Sequence, residues 1–84
     1  MICDASSRNA VLYQTLGCHL CEVAAEMIGP LAVARGWQVE LKEISEDEAL
    51  LSRYGIRIPV LLNLQSGAEL DWPFGIDQIA ELLC

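Results

Sequence analysis

Cys18 and Cys21, separated by His19 and Leu20, are the residues of this 84-residue chain whose types and spacing speak most directly of chemistry. Two thiols three positions apart can close a disulfide if their Cα atoms lie within about 4.4 to 6.8 Å, a condition that the first turn of a helix meets. The surrounding pattern puts them there. Asn9 to Gln14 is a short β-favouring run, Thr15-Leu16-Gly17 reads as a loop, and Leu20, Val23, Ala24, Met27, Ile28 and Leu31 then recur at intervals of three and four. A thiol at a helix N-terminus faces unpaired backbone N–H groups and the positive end of the macrodipole, both of which favour thiolate over thiol. From a reference near 8.5, the pKa of thiols so placed falls to about 3.5 to 7.5. The expectation is a redox pair in which Cys18 attacks a disulfide and Cys21, one turn further in, resolves the mixed disulfide.

Competing chemistries fit less well. A structural zinc site needs four ligands, and the chain has neither a second Cys-x-x-Cys nor a histidine pair; Cys3 and Cys84 lie at its two ends, so no metal site is expected. His19 would favour a Cys18 thiolate when protonated, while the same helix N-terminus opposes that protonation. As a general base it lacks a nearby orienting Asn or Asp. Glu22 and Glu26 fall one turn apart on the side of the helix away from its apolar stripe, and Glu46, Asp47 and Glu48 crowd the start of a later helix. These read as a solvated face and a dipole-complementing first turn, not paired catalytic carboxylates.

The elements that must position the pair follow from periodicity and punctuation. Pro30 lies inside the first helical pattern and has no N–H for the Glu26 carbonyl, so the helix should kink there, or end near Gly29 and restart at Pro30; Gly36 ends it. Trp37 to Lys42 alternates apolar with polar, as an edge strand with one wet face does. Ser45 and Glu48 form a capping box ahead of a short helix that Gly55 stops. Pro59 to Leu64 is apolar at its start and fits a buried strand, with Pro59 at its opening where no ladder bond is lost. Ser66-Gly67 turns it into a brief partner at 68–70, and Ile76, Ile79, Ala80 and Leu83 mark a terminal amphipathic helix starting near Gly75. The order strand, helix, strand, short helix, strand, strand, helix gives an α/β class: a parallel βαβ unit extended by an antiparallel hairpin into a mixed four-stranded sheet flanked by helices. Trp72 and Phe74 are expected to plug the core of so small a domain, with a place in an apolar groove beside the thiols as the alternative.

Composition bounds the function. At 54% apolar and 20% charged, the chain can build a core unaided, and its length allows one domain. A net charge of −7 spread along the sequence offers no basic stripe, which argues against nucleic acid. The longest apolar stretches, such as 59–62, are far below the ~20 residues of a membrane span, and no basic segment precedes an apolar one at the start. A soluble, cytoplasmic, monomeric protein is expected.

Leu12-Tyr13-Gln14-Thr15-Leu16-Gly17-Cys18-His19-Leu20-Cys21, followed some way on by Ile58-Pro59-Val60, resembles the glutaredoxin-like proteins of the thioredoxin-fold superfamily, in particular a small bacterial branch of them. The resemblance covers residues 9–84 and leaves 1–8 as a flexible extension. It implies a thioredoxin or glutaredoxin-like fold and a thiol–disulfide oxidoreductase with no cofactor of its own. The electrons would pass between a protein or low-molecular-weight disulfide and an external thiol reductant, glutathione among the candidates. It further implies that Pro59 is a cis residue facing the thiols, with Ile58 and Pro59 as the substrate wall and the backbone of Ile58 open to pair. Arg57 and His19 stand beside that wall, Arg57 as a potential holder of a peptide carboxylate. Where glutaredoxins carry a basic residue ahead of the first Cys, a Thr-Val-Pro and a Gly-Gly-x-Asp turn to hold glutathione, this chain reads Gln14-Thr15-Leu16-Gly17, Arg57-Ile58-Pro59 and Leu70-Asp71-Trp72-Pro73-Phe74. The alternatives are a module that bridges an iron–sulfur cluster or metal between two copies through Cys18, and a scaffold without catalysis.

Overall fold

In the computed structural model, which describes residues 8–83, the chain forms β1 (Asn9–Gln14), α1 (His19–Arg35), β2 (Gln38–Glu43), α2 (Glu48–Tyr54), β3 (Val60–Asn63), β4 (Glu69–Asp71) and α3 (Ile76–Leu82). The expectations for Cys3, Cys84 and the N-terminal extension through residue 7 lie outside the described residues. The four strands make one mixed sheet in the order β2-β1-β3-β4, with β1 parallel to β2 and antiparallel to β3, and β3 antiparallel to β4.

Strand alternation divides the core between the two faces of this sheet. Ala10 and Leu12 of β1 and Leu61 of β3 pack with Ala24, Ile28 and Ala32 of α1 and with Ile79 and Leu83 at the C-terminal end of the chain. Phe74 joins this cluster and meets Trp72 edge to face at 5.2 Å between ring centroids, so the two aromatics close the core. On the opposite face Val60 packs with Ile44 and Tyr54, and Tyr13, Leu50 and Ile58 lean against them, so that α2 and its flanking loops cover this side. The strand β2 is at an edge, and its outward residues Gln38, Glu40 and Lys42 are exposed as its alternation requires.

Two local expectations change. First, of the two expectations for Pro30, a kink within the helix or an end near Gly29 with a restart, the second is not met: α1 runs without a break from His19 to Arg35. Pro30 and Glu26 are both exposed, so water can bond the carbonyl that the ring leaves unpaired. The buried Cys21, Ala24, Ile28 and Ala32, on one stripe, hold the helix to the sheet across that gap. Second, the cap of α2 is Asp47 rather than Ser45: its Oδ1 accepts the Leu50 amide at 3.1 Å, and Glu48 becomes the first helical residue. Ser45 is spent on the preceding turn, its amide donating to Glu43 Oε1 at 2.8 Å. A carboxylate two residues later both caps and complements the dipole. The other helix ends are closed as their residues suggest. Gly36 takes φ 74° after α1, a left-handed C-cap. The Gln78 side chain accepts the Gly75 amide at the start of α3, and Arg35 and Asn63 donate to the Ala80 and Leu82 carbonyls at its end.

A candidate thiol site at one end of the sheet

Strand register gathers the site. Gln14, the last residue of β1, is aligned with Glu43, the last of β2; Tyr13 is aligned with Val60, the first of β3; and Val60 with Asp71, the last of β4. The loop to Cys18, the whole segment from Ile44 to Pro59, and the turn from Trp72 to Gly75 therefore all leave or enter the same end of the sheet. Ile44 ties two of them together by donating its amide to the Gln14 carbonyl at 3.0 Å.

Cys18 is the N-cap of α1, in extended conformation, and its Sγ accepts the amide of Cys21 at 3.2 Å. Gly17, with φ 79°, makes the turn that brings it there, a left-handed conformation that an L side chain rarely takes. The Cα atoms of Cys18 and Cys21 are 5.2 Å apart and their sulfurs are bonded to each other. Cys18 is half-buried, whereas Cys21, on the inward stripe of α1, is 1% exposed. His19 projects into solvent, with Nδ1 3.8 Å from the Glu22 carboxylate. Pro59 is fully buried and the Ile58–Pro59 bond is cis, as is Trp72–Pro73.

Hydrogen bonds within the chain already engage two groups of the far wall. The Ile58 amide donates to the Tyr54 carbonyl at 3.1 Å, so this N–H is already taken and is not open to an incoming chain. Arg57 is likewise committed. Its Nε and Nη2 grip Asp71 at 3.1 and 2.7 Å, and Nη2 also reaches Glu69 Oε1 at 2.7 Å. The guanidinium lies 5.1 Å from the centre of the Tyr54 ring. A guanidinium clamped by two carboxylates has no charge left over for a substrate's. The hydrogen bonds to Asp71 and Glu69 hold its proton even more firmly than usual, and in return keep both carboxyls below their ordinary range.

Sequence reasoning missed this cluster. Tyr54 stacks on Tyr13 at 4.2 Å between centroids and donates its hydroxyl to Glu69 Oε2 at 2.7 Å. Burial first, then that bond, pushes the hydroxyl up to about 12. One signal was present: Glu69 and Asp71 are two apart in a strand, hence on one face, and a lone Arg enters the neighbouring strand. On the other flank the Glu43 carboxyl is held below its ordinary range, chiefly by the Ser45 amide. Among the described residues no group of three or more His, Cys, Asp or Glu side chains could hold a metal ion, and no helix is long and apolar enough to cross a membrane.

The chain is similar to a known group of proteins. The description "Glutaredoxin-like domain (DUF836)" matches residues 9–84. Among solved structures, protein XcR50 from X. campestris is similar in its X-ray form, with 43% identity over 88% of this chain and 93% of that one and a TM-score of 0.74. Its solution structure gives 40% identity, coverage of 88% and 90%, and a TM-score of 0.68. Protein Ne2328 from Nitrosomonas europaea is similar over the full length of both chains, at 29% identity and a TM-score of 0.80. No curated protein matches the chain. With a sheet of this order, a Cys-x-x-Cys pair opening α1 and a family match running from β1 to the last residue, the chain belongs to the glutaredoxin-like domain family, on a thioredoxin-like fold.

Proposed function

We propose that this protein is a thiol–disulfide oxidoreductase. The observation that carries the reading is the asymmetry of the pair: Cys18, a half-buried residue, caps the N-terminus of a 17-residue helix and its Sγ accepts the Cys21 amide, while Cys21 is buried one turn inside. An N–H aimed at the sulfur and the positive helix end both stabilise a thiolate there. In the reduced protein the Cys18 thiolate attacks one sulfur of a substrate disulfide, and the other leaves as a thiolate that takes up a proton. The Cys21 thiol, losing its proton, then attacks Cys18 Sγ, releases the second substrate thiol and leaves the Cys18–Cys21 disulfide. Two electrons pass to the substrate, and an external thiol reductant returns the pair to its reduced form. Ile58 and Pro59, which enter β3 at the sheet end that the Cys18 loop leaves, form the wall opposite the thiols. His19, exposed beside Cys18, lies where a substrate would touch.

The test uses substitutions in a Cys3→Ser, Cys84→Ser background, so that only the pair can react. With hydroxyethyl disulfide as substrate, Cys18→Ser is expected to abolish exchange. Cys21→Ser is expected to stop after the first attack, visible as a mass increase of one mercaptoethanol group on Cys18. Exchange that survives Cys18→Ser would overturn the assignment.

A further inference from the structure

The end of the sheet that carries the thiols is apolar at its rim and acidic around it. Leu16, in the loop before Cys18, is 86% exposed, and Ile56, in the loop before Pro59, is fully exposed. Leu20 and Ile76, in the first turns of α1 and α3, are about half-exposed. Apolar side chains left exposed on the loops and first turns beside a reactive centre are available to an apolar partner. Beside it stand Glu22 and Asp77 in the same two first turns, Glu43 at the end of β2, and the run Glu46-Asp47-Glu48 leading into α2. The cations at this end do not balance them. Arg57 is neutralised by Glu69 and Asp71, Arg53 lies over the Tyr54 ring, and Lys42 points out from the edge strand.

We infer that the disulfide exchanged by Cys18 and Cys21 belongs to a cationic segment of a partner protein, with apolar side chains beside its cystine, in preference to an anionic disulfide such as that of glutathione. This rests on the thiol-exchange reading above and adds its substrate class. A glutathione moiety brings two carboxylates and needs cations to receive them; here the cation nearest the wall is already bonded to Asp71 through Nε and Nη2 and to Glu69 through Nη2. Lysines beside a cystine would instead meet the carboxylates of α1, α3 and the α2 approach, and leucines would cover Leu16, Leu20 and Ile56. Such complementarity acts mainly on encounter, where steering by surroundings of the opposite sign raises association rates by about 10- to 1,000-fold and falls steeply with salt.

The experiment uses the prereduced full chain and four probes: a peptide disulfide with lysine and leucine neighbours, its glutamate and leucine counterpart, glutathione disulfide, and neutral hydroxyethyl disulfide. The reaction is followed by acid quench and peptide mapping of the Cys18–Cys21 disulfide. Each rate is divided by the rate with dithiothreitol, an uncharged dithiol, to remove differences in leaving-group chemistry. At low salt the lysine peptide is expected to react at least about tenfold faster than the glutamate peptide or glutathione disulfide, with the neutral probe between. At 0.5 M salt that ratio should shrink toward unity. Asp71→Asn, which removes one of the two negative charges that neutralise Arg57, should also reduce it. Equal rates, or a faster glutamate peptide or glutathione disulfide, would overturn the inference while leaving thiol exchange standing. Failure of all four probes would remove both.

Discussion

At the scale of single residues, the ring of Tyr54 lies against Tyr13 and its hydroxyl bonds Glu69, which with Asp71 holds Arg57. Deleting only the hydroxyl, in Tyr54→Phe, keeps the stack and removes one bond to a charged acceptor. A cost of about 1.5 to 3 kcal/mol is expected, measurable as a lower urea midpoint with an unchanged slope. The same cluster sets the pH limits of stability. The Glu69 and Asp71 carboxyls lie below their ordinary values in the folded chain, so their contribution is complete above the unfolded values and is lost as pH falls through the folded ones. The Tyr54 hydroxyl is raised to about 12, so its contribution is complete below 10 and is lost as pH rises from there toward 12. A stability profile of the wild type should therefore fall at both limits, with Arg57→Met flattening the acid limb and Tyr54→Phe the alkaline one. Arg57 also shows what a sequence conceals. Its nearness to Pro59 suggested a substrate contact, but which charges surround a guanidinium depends on pairing across strands, and β4 comes next to β3 only through a hairpin whose register the residues at 57 do not reveal.

At the scale of elements, the Cys-x-x-Cys junction was legible because strand, loop and helix are adjacent in the chain and each has its own period. The parallel β1–β2 unit and the antiparallel hairpin followed from the same reading. What was not legible was competition between local signals. Ser45 and Asp47 both qualify as caps, and the choice between them turned on Glu43, a residue of the preceding strand, drawing Ser45 into a turn. Pro30 is a strong local breaker, yet α1 passes through it because the buried stripe of Cys21, Ala24, Ile28 and Ala32 is anchored on both sides. This makes Pro30→Ala informative. An interior Pro costs a helix about 3 kcal/mol relative to Ala, partly offset by the rigidity it lends the unfolded chain. Pro30→Ala is expected to raise stability by about 1 to 3 kcal/mol, and the melting temperature by about 4 to 8 °C for each of them, by calorimetry.

At the scale of the whole molecule, topology turns short sequence motifs into one site. Because β3 runs against β1, both ends of the segment 44–59 meet the sheet at the end where α1 begins, and β4 brings Asp71 to the same place. Neither a pattern of apolar residues nor the spacing of Cys18 and Pro59 contains that convergence; it follows from strand order. The family match and the structural likenesses support a redox-type protein, and the division of labour between its two thiols is the claim on which the account stands. That claim is tested most directly in the prereduced wild-type chain by a single turnover with hydroxyethyl disulfide at neutral pH, quenched at intervals and mapped by peptide mass. A transient mercaptoethanol adduct on Cys18 is expected, followed by a Cys18–Cys21 disulfide with the loss of two hydrogens from that peptide. An adduct that forms first on Cys21, or a pair that stays reduced throughout, would contradict it.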